Sequence, residues 1–292
     1  MANGLVIREL CKQYPRFTLT VEDLEVPAGN VTAILWENGA GKTTLFRCLM
    51  GHVHRQSGRV ELDGRELSPE TVSWRRFIGY VPEESYWYEE RTVSWTLNFL
   101  RRFYESWDDA FAADLLRWSG LDPRKKVAEL SRGMKRKLQL IAALAFRPRL
   151  LLLDEATTGL DMGARRETLD LLKDFVREAS VAVLFSSHQP HDVKELADRI
   201  AFLRDGRIVA LEEISRCLAW QLVEISGNGA VSEVVAQIPG RLACRRIRGS
   251  YSVLSRSRPE ELHDFLERMG KAVEWRCSPA SLEDSFLCLM RG

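Results

Sequence analysis

Val31-Thr32-Ala33-Ile34-Leu35-Trp36-Glu37-Asn38-Gly39-Ala40-Gly41-Lys42-Thr43-Thr44 is the stretch on which the rest of the chain hangs. Val31 to Leu35 is a continuous apolar run, the pattern of a strand buried on both faces. Thr44-Leu45-Phe46-Arg47-Cys48-Leu49-Met50 reads as a helix. A glycine-rich loop between a buried strand and a helix is a phosphate cradle. Gly39 and Gly41 let backbone N–H groups converge, and the helix N-terminus adds its positive end. In that pattern Asn38, Gly39, Ala40, Gly41 and Thr44 form the loop, Lys42 reaches the β- and γ-phosphates of ATP, and the Thr43 hydroxyl ligates Mg²⁺. One residue departs from G-x-x-x-x-G-K-S/T: Trp36 stands where the first glycine belongs, followed by Glu37. Glycine there would ease the turn out of the strand. Either both side chains point away from the phosphates, or the loop binds ATP weakly or needs its dimer partner to close.

Downstream, Leu150-Leu151-Leu152-Leu153-Asp154-Glu155 is a buried strand delivering paired carboxylates at its C-terminal end. Asp154 is placed to hold Mg²⁺, and Glu155 to polarise an attacking water in phosphoryl transfer. Around this pair, Leu5 to Leu10, Thr18 to Leu24, Val181 to Phe185 and Ile200 to Leu203 read as strands. Asp63-Gly64 and Asp205-Gly206 are hairpin turns. Val93 to Arg147 is mostly helical, and Gly163 to Glu178 is a further helix. Buried strands alternating with helices predict an α/β fold with a mostly parallel sheet covered on both faces. Beyond about Ala219 the order becomes strand, helix, two strands, helix, strand, which predicts a small ferredoxin-like domain. A last helix, Ser281 to Met290, has Ser281 as its N-cap.

The 292 residues include 42 Lys+Arg and 41 Asp+Glu, a net charge of +1. That balance argues against a nucleic-acid binder working through a basic field. With 45% apolar and 28% charged residues the chain is globular, and it contains no run of about eighteen apolar residues. The N-terminus lacks a secretory pattern, and Cys11, Cys48, Cys217, Cys244, Cys277 and Cys288 form no C-x-x-C pair. Free thiols in a cytoplasmic protein are the expectation.

Leu130-Ser131-Arg132-Gly133-Met134, standing before the acid-ended strand, resembles the L-S-G-G-Q signature of the ATP-binding subunits of ABC transporters. The resemblance implies a P-loop ABC ATPase fold with a mixed sheet core, residues 1–218, with a helical subdomain at about 85–148 and a small α+β domain at 219–292 that is regulatory or stabilises a dimer. It implies that Ser131 and Gly133 touch phosphate bound by the other subunit, in a homodimer or a heterodimer. By the same resemblance, Tyr14 stacks on adenine, Glu83 takes the place of a glutamine that senses Mg²⁺, Asp161 lies in a loop crossing the dimer, and His188 contacts the γ-phosphate. Glu155, His188 and Lys42 are the catalytic candidates; Thr43, Glu83 and Asp154 are the metal candidates.

Ser281-Leu282-Glu283-Asp284-Ser285-Phe286 resembles the ending of the subfamily that serves ABC-2 type exporters. The expected function is therefore an ATPase that drives a separate ABC-2 permease from the inner face of the membrane, without nucleic acid. A regulatory subunit with little hydrolysis and a soluble ATPase outside transport are the alternatives. His52 and His54 read as surface residues after a helix rather than a metal site. The run Arg132 to Lys137 reads as a solvated face, and Tyr86, Trp87, Tyr88 and Trp95 as either a docking surface or core packing.

Overall fold

The computed structural model describes residues 4–37, 39–68, 73–84, 86–227, 231–247, 249–269 and 273–291. The chain opens with a long hairpin, β1 (Gly4–Tyr14) and β2 (Phe17–Pro27), paired from Gly4↔Pro27 to Tyr14↔Phe17. Both strands outrun the apolar runs visible in the sequence, because ladder pairing carries the polar residues at their ends. The buried strand β3 (Val31–Trp36) leads into α1 (Lys42–Leu49). The hairpin β4 (Ser57–Leu62) and β5 (Arg65–Glu66) follows, turning at Asp63-Gly64, and then β6 (Ile78–Val81).

Three helices come next: α2 (Val93–Arg101), capped by Thr92; α3 (Asp109–Ser119), capped by Asp108; and α4 (Arg132–Leu144), capped by Ser131. In each, the cap side chain accepts a hydrogen bond from an orphan N–H of the first turn. The C-terminal half of α4 lies directly on β6. A Cβ on Gly79 would come within 2.5 Å of the Ala143 carbonyl, so only glycine permits that approach.

The remaining elements of the large sheet are β7 (Leu150–Asp154), α5 (Met162–Ala179), β8 (Ala182–Ser186), α6 (Pro190–Leu196), β9 (Arg199–Arg204) and β10 (Arg207–Glu213). The ten strands run β5-β4-β1-β2-β10-β9-β3-β8-β7-β6. The half from β9 to β6 is parallel and the other half largely antiparallel. The N-terminal hairpin and β9–β10 add antiparallel strands, so the sheet is mixed, as the family resemblance implied, and not mostly parallel as the alternation of buried strands and helices alone suggested. The C-terminal ends of β3, β7 and β8 emerge side by side, which is where an open α/β sheet presents its site.

After α7 (Ile214–Cys217), a second sheet forms from β11 (Gln221–Ser226), α8 (Val231–Gln237), β12 (Arg241–Ile247), β13 (Ser250–Ser255), α9 (Pro259–Arg268) and β14 (Glu274–Pro279), in the order β12-β13-β11-β14. All its neighbours are antiparallel, as a split βαβ arrangement requires. The final helix α10 (Leu282–Arg291) is capped by Ser281 and inserts between the two sheets. Its Leu282, Cys288 and Met290 join Phe202 and Trp220 in one buried cluster, and Arg204 donates to the Leu289 carbonyl at 2.7 Å. The small sheet therefore shares core with the large one.

Candidate functional site

β3 stays extended through Trp36, which pairs with Leu203 of β9. The turn therefore begins only at Glu37. Gly39 (φ 84) and Gly41 (φ 103) hold left-handed backbone that a side chain would strain. A Cβ on Gly41 would also lie 2.5 Å from the Phe17 ring. The loop is braced from a distance: the N–H of Gly206, in the β9–β10 turn, donates to the Ala40 carbonyl at 3.1 Å. A cavity of about 310 Å³ results, lined by Phe17, Trp36, Gly39 to Thr44 and Glu83. Asn38 lies outside the described residues.

Lys42, the first residue of α1, is almost wholly enclosed. Its Nζ lies 2.7 Å from Asp154 Oδ1, 3.5 Å from Glu83 Oε2 and 4.2 Å from the Trp36 ring centroid. Of the two orientations open to Trp36, the structure has the ring lining the cavity, because the extended backbone aims it across the loop. Asp154 is buried and accepts a hydrogen bond from Ser186 Oγ at 2.7 Å. Tyr80, from β6, has its phenol pushed up to about 12 by burial and then by the Asp154 charge.

Glu155 follows on β7 in left-handed backbone, φ 54, a conformation that costs a non-glycine residue about 1 kcal/mol or more. Its N–H donates to the Ser186 carbonyl at 3.1 Å, so the neighbouring strand holds the turn in place. The Glu155 carboxylate accepts from Thr158 Oγ1 at 2.7 Å and from the His188 N–H at 3.1 Å, and His188 Nδ1 lies 2.7 Å from Oε2. Three strand ends, those of β3, β7 and β8, thus set an ammonium, a carboxylate and an imidazole at the C-terminal side of the sheet.

Glu83 is carried by a short loop after β6 whose backbone is gripped by Arg136. This guanidinium is 4% exposed and donates to the Pro82 carbonyl at 2.5 Å and the Glu83 carbonyl at 2.9 Å. The run Arg132 to Lys137 is therefore not a uniformly solvated face. Arg136 falls on the α4 stripe with Leu140 and Ala143, a spacing that was readable in the sequence. Burial, with Arg132 adding to it, pulls its pKa below the ordinary guanidinium value.

The loop after Glu155 is locked by Asp192, which is fully buried. It accepts from Thr157 Oγ1 and from Arg165 Nε, each at 2.5 Å. Asp161 caps α5 through the Ala164 N–H at 2.9 Å. Ser131 and Gly133 begin α4 beside this loop, with Arg132 lying across Gly159. They do not line the cavity around Lys42. Tyr14 is 36% exposed at the end of β1 and does not line it either; Phe17, three residues on, does. Ser186, Asp192 and Arg165 were given no role from the sequence, since a lone hydroxyl or ion pair has no local signature. The exposed His52 and His54 lie beyond α1.

The aromatic cluster divides. Trp87 is half-buried against the core, while Tyr86 is 93% exposed. Both line a groove with Tyr104, Leu100 and Phe146. Tyr88, Trp95, Phe99 and Phe103 form a ring ladder along α2 with centroids 5.1–5.8 Å apart.

Three comparisons bear on these observations. The ABC transporter family profile matches residues 19–158. The ABC transporter ATP-binding protein YtrB of Bacillus subtilis (strain 168) is 30% identical over 270 residues, 92% of this chain and 91% of that protein. The sulfate/thiosulfate import ATP-binding protein CysA of Xylella fastidiosa (strain 9a5c) is 33% identical over 216 residues, covering 70% of this chain and 62% of that protein. A solved structure described as the ATP-binding subunit of an ABC transporter superposes with a TM-score of 0.66 at 27% identity, covering 74% of this chain and 92% of that one.

Proposed function

Because this chain belongs to the family of ABC transporter ATP-binding proteins and hydrolyses ATP as such a subunit, we propose that it powers an ABC-2 type exporter whose permease is a separate chain. Among the described residues no helix is long and apolar enough to cross a membrane, and the family works with a membrane permease. The observation that carries the reading is the enclosure of Lys42 by Asp154 beside a Glu155 held by His188. Lys42 supplies the positive charge for the β- and γ-phosphates, and the loop amides supply fixed donors. Glu155 is the base that orients and deprotonates the attacking water, and His188 holds its carboxylate in place.

Thr43 and Glu83 line the cavity and the buried Asp154 lies against Lys42 beside it, and their hydroxyl and carboxylate oxygens are a hard donor set that fits Mg²⁺. These three would hold it, and Mg²⁺ there would neutralise charge on the phosphate oxygens.

Ser131 and Gly133, at a capped helix start away from their own cavity, suit donation to phosphate on a second copy or a related subunit. Asp161 would lie at that junction, and Tyr14 would reach an adenine from the rim. The groove around Trp87 and Tyr86, with its apolar floor, is the surface for the permease. The export direction is supported by the Ser281–Phe286 ending. This reading puts the protein at the inner face of the membrane, with the C-terminal domain steadying the dimer through α10.

A second reading, a nucleotide-binding regulatory subunit with little hydrolysis, is favoured by Trp36 on Lys42 and by an acid at Glu83. Steady-state phosphate release separates the two. Inside-out vesicles carrying this chain and its permease test direction: ATP-driven accumulation of cargo marks export, and accumulation only in right-side-out vesicles overturns it.

A further inference from the structure

The one break in the phosphate-loop pattern is filled by a side chain aimed at the loop's own lysine. Trp36 needs no left-handed backbone, since it ends β3 in regular pairing with Leu203. Its presence is therefore a matter of the indole rather than of strain. The ring centroid lies 4.2 Å from Lys42 Nζ, and the lysine side chain is only 8% exposed. Asp154 Oδ1 at 2.7 Å and Glu83 Oε2 at 3.5 Å approach the same ammonium. An ammonium over an indole face is among the stronger cation–π pairs, and more so where water is kept away.

We propose that Trp36 is a positioning residue that sets nucleotide affinity by holding the Lys42 ammonium in competition with phosphate. The proposal rests on reading the loop as the ATP site. Lys42 has three N–H donors. A phosphate on the loop must draw them from a cage whose two carboxylates already offset the charge and whose indole face attracts what remains. The family pattern places glycine at this position, which offers the ammonium no such face. The consequence is an ATP and ADP affinity lowered by the ring, with Lys42 released from it as phosphate arrives.

Three variants separate the π face from mere bulk. Trp36→Gly removes both, Trp36→Leu keeps apolar volume without a quadrupole, and Trp36→Phe keeps a weaker one. ATP and ADP dissociation constants are measured by calorimetry on the full chain, alongside KM and kcat for hydrolysis. Release of a partly desolvated cation–π contact predicts binding tighter by roughly three- to tenfold in the glycine and leucine variants, with phenylalanine in between. KM falls with the dissociation constant by more than kcat changes. Wild-type affinity in Trp36→Leu, or weaker binding in Trp36→Gly, overturns the proposal while leaving the ATP site standing. Failure of the wild type and all three variants to bind nucleotide overturns the ATP-site reading and the proposal together.

Discussion

His188 holds Glu155 at two points: its backbone N–H donates to Oε1 at 3.1 Å, and its Nδ1 lies 2.7 Å from Oε2. A carboxylate acceptor selects the tautomer with the proton on Nδ1, leaving Nε2 of the exposed ring directed elsewhere. The carboxylate also takes the Thr158 hydroxyl, so a buried acid is fixed by three donors from two loops.

Glu155→Gln keeps the shape of this group but cannot accept a proton. Phosphate release is expected to fall by about a hundredfold or more, while ATP binding, measured by calorimetry, stays within about threefold of wild type because Lys42 and the loop are untouched. Turnover at the wild-type rate would remove Glu155 from the role of base.

His188→Ala deletes the imidazole contact yet leaves the backbone N–H in place. The expected loss of turnover is smaller, about ten- to a hundredfold, since Thr158 and the amide still orient the carboxylate. A loss equal to that of Glu155→Gln would mean the imidazole acts directly rather than through Glu155.

Asp192 is the only partner seen for Arg165 Nε among the described residues, and it is fully buried with Thr157 on its other oxygen. Asp192→Ala leaves a half-buried guanidinium uncompensated and frees the loop that follows Glu155. A loss of about 3 kcal/mol in urea unfolding is expected, with hydrolysis reduced even where the protein remains folded. Double replacement of Asp192 and Arg165 by Leu and Met should recover stability without recovering turnover.

Arg136 fastens the Pro82 and Glu83 carbonyls to α4. Arg136→Met retains the buried volume but removes the Glu83 carbonyl's guanidinium donor and leaves the Pro82 carbonyl only Gln139 Nε2 at 3.4 Å, so a loss of about 2 kcal/mol in urea unfolding is expected. The Glu83 loop should loosen, raising amide exchange at residues 83–84.

Burial pushes the Cys217 thiol up to about 12 and the Cys288 thiol to about 11, against an ordinary 9.0. The Tyr80 phenol rises to about 12 from 10.0. All three remain protonated in the fold while the unfolded chain releases its protons first. Stability is thus intact below pH 9 and falls as pH rises from there towards 11–12. Urea midpoints at increasing pH should decline across that window, and Cys217→Ala with Cys288→Ala should flatten the slope. A midpoint constant to pH 11 would contradict these environments.

Much of this protein is written locally. Residues 31–44 and 150–155 determined a strand, a loop, a helix and an acid pair, because each depends on near neighbours and on the alternation of apolar with special residues. The order of elements after Ala219 likewise implied the small antiparallel sheet. What surrounds the site was decided only by the strand order β9-β3-β8-β7, which sets side by side residues from distant parts of the chain. That order places Ser186 under both Asp154 and Glu155, Gly206 under Ala40, and Asp192 between Thr157 and Arg165. The direction of Trp36 belongs to the same class. The pattern marks it as a misfit, but only an extended backbone pinned to Leu203 turns its ring onto Lys42. Spacing reports what a segment can be; the partner across the sheet, which fixes where each charge and each ring points, exists only once the strands have assembled.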